Sequence, residues 1–102
     1  MQRRSMDNKV PATRSLTARQ ATVAPAPLWQ SRQIADLRQG LNLSQPVFAQ
    51  ALNVSPETVR AWEQGKRSPE GAALRLLEVA HRYPEALMSA VHSNVGQQKE
   101  SR

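Results

Sequence analysis

Apolar residues recur every three or four positions through the middle of the chain, and no stretch alternates with the period of two that a half-buried strand requires. In "SRQIADLRQGLNL" (31–43), Ile34, Leu37 and Leu41 share a helical face, and Gly40 and Asn42 mark its end. In "LSQPVFAQALNV" (43–54), Ser44 is a candidate N-cap and Pro46 is tolerated because it lies in the first turn. Val47, Phe48, Ala51 and Leu52 form the apolar face, and Asn53 is a left-handed stop. The triplet Ser-Pro-Glu then occurs twice, at 55–57 and at 68–70. Each has the chemistry of a helix start: a serine cap, a proline pre-set for the first turn, and a carboxylate where the helix dipole favours it. The first predicts a short helix from Pro56 to Gln64, stopped at Gly65. The second predicts a helix through "PEGAALRLLEVAHRY" (69–83), with Ala73, Leu74, Leu76, Leu77 and Ala80 inward. Pro84 then opens a last short helix in "PEALMSAVHS" (84–93). The pattern predicts an all-α fold of five helices joined by loops of two to four residues.

Before Trp29 the periodicity vanishes. Residues 17–29, "TARQATVAPAPLW", are rich in Thr, Ala and Pro. Residues 1–27 are therefore expected to be a disordered basic arm, 28–93 the folded domain, and 94–102 a flexible tail.

Charge sharpens this division. The 102-residue chain has a formal net charge of +6 and a pI near 11.1. Residues 1–30 hold Arg3, Arg4, Lys9, Arg14 and Arg19 against Asp7 alone. Such a balance points to a polyanionic partner. The chain has no cysteine, which excludes disulfides and thiolate metal sites and fits a reducing compartment. "MQRRSMDNKV" is not followed by the apolar run of a secretory signal, and no stretch approaches a membrane span. A cytoplasmic protein is expected, with no cofactor and no metal. His81 and His92 stand apart from any nucleophile or paired carboxylates, and no phosphate-binding glycine motif occurs, so the composition argues against an enzyme.

The second and third predicted helices have a specific relationship. Ala49 is small enough for two backbones to cross, Asn53 can make the left-handed turn, and Val59 and Trp62 provide the buried side of the following helix. That spacing is the spacing of a helix-turn-helix. On a helical wheel Glu57, Ala61 and Gln64 then occupy the opposite, outward face, flanked by Thr58 and Arg60. In a helix-turn-helix this face is the candidate reader of the DNA major groove. "GKR" at 65–67 is a basic loop near the phosphates, and Trp62 belongs to the core rather than to a stacking platform.

Residues 37–80, "LRQGLNLSQPVFAQALNVSPETVRAWEQGKRSPEGAALRLLEVA", resemble the phage-repressor-like (XRE) helix-turn-helix family. The stretch "WEQGKRSPEGAALRLLEVAHRYPEAL" (62–87) is similar to the HigA-type antitoxins of bacterial type II toxin–antitoxin operons. The resemblance implies that Ser44 and Gln45 bind a phosphate at a helix N-terminus. It implies base reading from Ser55, Pro56, Glu57 and Ala61, and backbone clamping by Lys66 and Arg67. Pro56 and Ala61 offer no hydrogen bonds, so Thr58 and Arg60 are expected to carry more of the reading. Ala61 suits a thymine methyl. Glu57 can accept from a cytosine amino group or simply complement the helix dipole. Arg38 and Glu63 match a family pair that fixes the recognition helix.

The resemblance further implies a homodimer on an inverted-repeat operator and a ribonuclease toxin of the RelE or HigB type as partner, the complex repressing its own operon. The alternative is a solitary regulator of the same family without a toxin. For the toxin contact the expected residues are Val23, Pro25, Leu28 and Trp29, an apolar stretch before the first helix; Trp29 can equally cap the core. Acidic Glu70, Glu78 and Glu85 are the other candidates. For the dimer, Leu87, Met88 and Val91 form an apolar stripe with little of the domain left to cover it.

Overall fold

The computed structural model describes residues 15–17 and 19–93. Among these residues the fold is all-α, with five helices: α1 (Ser31–Gly40), α2 (Gln45–Leu52), α3 (Pro56–Glu63), α4 (Ala72–Arg82) and α5 (Pro84–Met88). The N-terminal residues 1–14 and Ala18, and the tail 94–102, lie outside the described residues.

The local signals act where the sequence places them in the first three helices. At the start of α1, Gln33 accepts the Gln30 backbone N–H through its side-chain oxygen at 2.8 Å. The Ser44 hydroxyl accepts from the Val47 N–H, and Ser55 from the Thr58 N–H, so both serines are N-caps. Asn53 ends α2 in the left-handed conformation at φ 63°, and the Val54 N–H closes back on the Ala49 carbonyl at 2.9 Å. Gly65 takes φ 76° beyond α3. An added Cβ there would face both a left-handed backbone and the Ser31 hydroxyl at 3.4 Å.

The second Ser-Pro-Glu does not start a helix. Residues 68–70 are irregular, Pro69 is buried, and α4 begins only at Ala72. Gly71 sits at φ 57°, ψ −131°, a backbone that L-residues rarely adopt, and turns the chain before the first helical residue. The loop between α3 and α4 is longer than the expected four residues. Two inward assignments also shift. Val47 and Leu76 are each 37% exposed, while Ala49, placed at the helix crossing by its size, is fully enclosed.

The core is one cluster of buried residues from all five helices and the Leu43 loop, with Phe48, Ile34, Leu77 and Val59 its largest fully enclosed side chains. α3 packs against both α2 and α1, and α5 against α4 and α2. A helix of eight residues is marginal alone. α3 is held by burial of Val59 and Trp62 on its inner side. Truncation of Phe48 to alanine at the centre of this cluster would cost about 3–5 kcal/mol.

Candidate nucleic-acid interface

The turn between α2 and α3 leaves one side of α3 facing out of the domain. Glu57 and Arg60 are exposed and Ala61 is half-buried on that side, while Pro56 is half-buried. Of the residues assigned to base reading, Glu57 and Arg60 have no described hydrogen-bond or ion-pair partner within the domain, so their polar groups remain available.

Ser55 and Thr58 are engaged instead. Their hydroxyls lie 2.9 Å apart, and the Arg67 guanidinium donates to the Thr58 hydroxyl at 3.1 Å. Arg67 thus reaches back along α3 from the loop that follows it. Lys66 remains exposed beside it. The loop itself is fixed by the Lys66 N–H donating to the Ala61 carbonyl at 2.9 Å.

Behind the outward face a polar network sets the angle of α3. Arg38 of α1 donates to both carboxylate oxygens of Glu63, at 2.7 and 3.0 Å, and to the Leu43 carbonyl at 2.9 Å. The Gln45 amide donates to the same carboxylate at 2.9 Å. The Arg38 and Glu63 side chains are only 14% and 8% exposed. Burial pushes the Glu63 carboxyl up. The hydrogen bonds from Arg38 and Gln45, with the charge of Arg38, outweigh it and hold the group below the ordinary glutamate range. The bond to Glu63 raises Arg38, more than offsetting its own desolvation. One network therefore joins three helices. Gln45, assigned to a phosphate, spends one amide N–H on Glu63 and keeps a second for an external acceptor.

The apolar stretch before α1 has no regular secondary structure. Val23 and Leu28 are 79% and 82% exposed, and Pro25 is exposed too. Trp29 is different. It packs half-buried against the core, its ring edge-on to His81 with centroids 5.6 Å apart, and its indole N–H is enclosed without a described partner. Of its two readings the core cap is the one this packing fits. Leu28, Trp29, Leu37, Ala80, His81 and Pro84 line an open groove of about 560 Å³ beside it. The segment is tied to α4 by Arg75, which donates to the Ala24 carbonyl at 2.6 Å and to Glu78 at 2.8 Å. Glu78 is in turn mostly covered and also meets Arg82 at 3.5 Å.

The stripe assigned to the dimer is largely covered within the chain. Leu87 is 6% exposed in the core, and Met88 and Val91 are half-buried against it. α5 folds back onto α4 and α2, which the short spacing after Pro84 did not reveal. Leu87 is therefore a core residue, and Met88 and Val91 keep only part of their surface.

The α2–turn–α3 geometry, the outward polar face and the basic loop define a DNA-binding helix-turn-helix domain. A helix-turn-helix family profile matches residues 34–87, more than half of the chain, and the protein belongs to that family. The chain is also 42% identical over 55 residues to Antitoxin HigA-2 of Vibrio cholerae serotype O1. That alignment covers 54% of this chain and 53% of the relative, so the chain spans about half the length of the curated relative it matches.

Proposed function

We propose that the protein is a sequence-specific DNA-binding antitoxin that neutralises a ribonuclease toxin and represses its own operon. The observation that carries this reading is the 42% identity to Antitoxin HigA-2 in a chain that belongs to the helix-turn-helix family. The outward face of α3, led by Arg60 and Glu57, reads bases in the major groove. Gln45, Ser44, Lys66 and Arg67 hold phosphates. One such module reads few base pairs, so the protein acts as a homodimer on an inverted repeat with half-sites about 34–36 Å apart. Met88 and Val91, the latter lining a shallow pocket with exposed Val47, are the surface proposed for the dimer. The toxin lies along the exposed stretch Val23 to Leu28, and inhibition is by occlusion, with no chemistry supplied by this chain and no metal or cofactor required. It works in the cytoplasm, where operon and messenger RNA are. No helix among the described residues is long and apolar enough to cross a membrane.

The test is a messenger-RNA cleavage assay with the product of the adjacent gene. Added in equimolar amount, this protein is expected to abolish cleavage. Undiminished cleavage, or an adjacent gene without ribonuclease activity, would favour a solitary regulator. One observation supports that second reading: the alignment to the antitoxin is about as long as the helix-turn-helix match alone.

A further inference from the structure

We propose that Thr58 is a positioning residue, which holds the Arg67 guanidinium as a pre-oriented phosphate fork on one wall of the DNA groove. The assignment rests on the DNA-binding reading above and specifies how one part of that site works.

Successive residues on a helix are about 100° apart. Glu57, Ala61 and Gln64 define the middle of the outward face. Thr58 then stands about 90° to one side of that middle, and Arg60 about 70° to the other. When the outward face meets the base edges, a side chain on the Thr58 flank meets the groove wall, where phosphates lie and bases do not. Arg67 is brought to that flank by the backbone. Gly65 at φ 76° reverses the chain, and the Lys66 and Arg67 N–H groups both close on the Ala61 carbonyl, at 2.9 and 3.3 Å. The side chain then runs back toward the start of α3 and donates to the Thr58 hydroxyl at 3.1 Å.

The Thr58 hydroxyl is itself fixed. It shares a hydrogen with the Ser55 hydroxyl at 2.9 Å, and Ser55 accepts the Thr58 N–H at 3.1 Å. Thr58 is thus occupied on both sides and has little left for a base. Arg67 uses one of its five N–H donors there and keeps a fork suited to a phosphate. Among the described residues no carboxylate pairs with it, so its charge is uncommitted. A guanidinium already held in place loses less rotamer freedom when a phosphate arrives. Inorganic anion capture by the start of the helix alone is not required; the charge comes from Arg67.

The test uses fluorescence anisotropy with a duplex selected by the full-length protein from a random library, and with single-base variants of that duplex. R67A is expected to weaken binding to every duplex by the same factor and to reduce the slope of log affinity against log salt by about 0.9, one phosphate's worth. T58V removes the acceptor but keeps the shape. It is expected to weaken all duplexes alike, on the order of fivefold, and to add nothing in the R67A background. T58S, which keeps the hydroxyl, is expected to match the parent. If T58V changes the ranking of the base variants, Thr58 reads sequence and the assignment is wrong. Equal losses from T58V with and without Arg67 would also overturn it. A parent protein that selects no duplex overturns the DNA-binding reading and this assignment together.

Discussion

Gln45 opens α2 and Glu63 closes α3, and the Gln45 amide donates to the Glu63 carboxylate at 2.9 Å. The residue assigned to a phosphate is therefore also one of the residues that orient the recognition helix. Gln45→Ala is expected to lower DNA affinity about tenfold for all sequences alike, a loss of about 1–1.5 kcal/mol. Anisotropy on matched and scrambled duplexes measures this. A change in the ratio between them would mean that Gln45 acts on base reading, through the set of α3 or by direct contact, rather than on a phosphate alone.

The same carboxylate makes stability depend on pH. Glu63 is held below the ordinary glutamate value of about 4.3, so the folded state binds its proton less readily than the unfolded chain does. Its contribution is complete above that value and is lost as the pH falls through the lowered folded value. Arg38 stays charged throughout. Glu63→Ala is expected to cost about 3 kcal/mol at pH 7, because it strands a mostly buried guanidinium. Glu63→Gln should flatten the acid limb of stability. Urea melts from pH 7 to pH 2.5 check both, and an unchanged acid limb in Glu63→Gln would remove Glu63 from the linkage.

Most of the fold was legible because short-range chemistry decides it. Ser44, Ser55, Asn53 and Gly65 act locally, and each does what its side chain or backbone freedom dictates. Ser68-Pro69-Glu70 carries the same signal as Ser55-Pro56-Glu57. It fails as a helix start because Pro69 is buried and Gly71 turns the chain first. Tertiary packing overrode local propensity there. Leu87 was misplaced for a related reason: spacing defines a face but not what covers it. In the site, the outward placement of Glu57 and Arg60 follows from helical period. The Arg67–Thr58 and Gln45–Glu63 bonds join residues 9 and 18 apart, and no local pattern announces them.

Arg75 fastens the segment before α1 to α4 through the Ala24 carbonyl. Arg75→Ala is expected to leave DNA affinity within about twofold while making residues 19–27 faster to exchange amide hydrogen and easier to cleave. Hydrogen-exchange mass spectrometry would show the change confined to that segment and its contact on α4. Exchange spreading to α3 would indicate that Arg75 supports the domain itself.

Removal of residues 1–27 separates the two proposed activities. The truncated protein keeps Trp29 on His81 and all of the helix-turn-helix, so it is expected still to bind operator DNA as a dimer. It is expected to lose most inhibition in the messenger-RNA cleavage assay. Full inhibition would place the toxin on the globular part, with Glu70, Glu78 and Glu85 the next residues to change.

Arg60 stands on the outward face with no described partner. Arg60→Ala is expected to cost about 1–3 kcal/mol on the preferred duplex and to relax the preference at one base-pair position. Uniform weakening across all duplexes would instead make Arg60 a phosphate contact.

The most direct test of the whole account is titration of the duplex upstream of the protein's own gene, against a scrambled duplex, by fluorescence anisotropy between about 50 and 200 mM salt. Stronger binding to the upstream duplex is expected at every salt concentration, with affinity for both falling steeply as salt rises. Equal affinity for the two duplexes, or an affinity indifferent to salt, would contradict it.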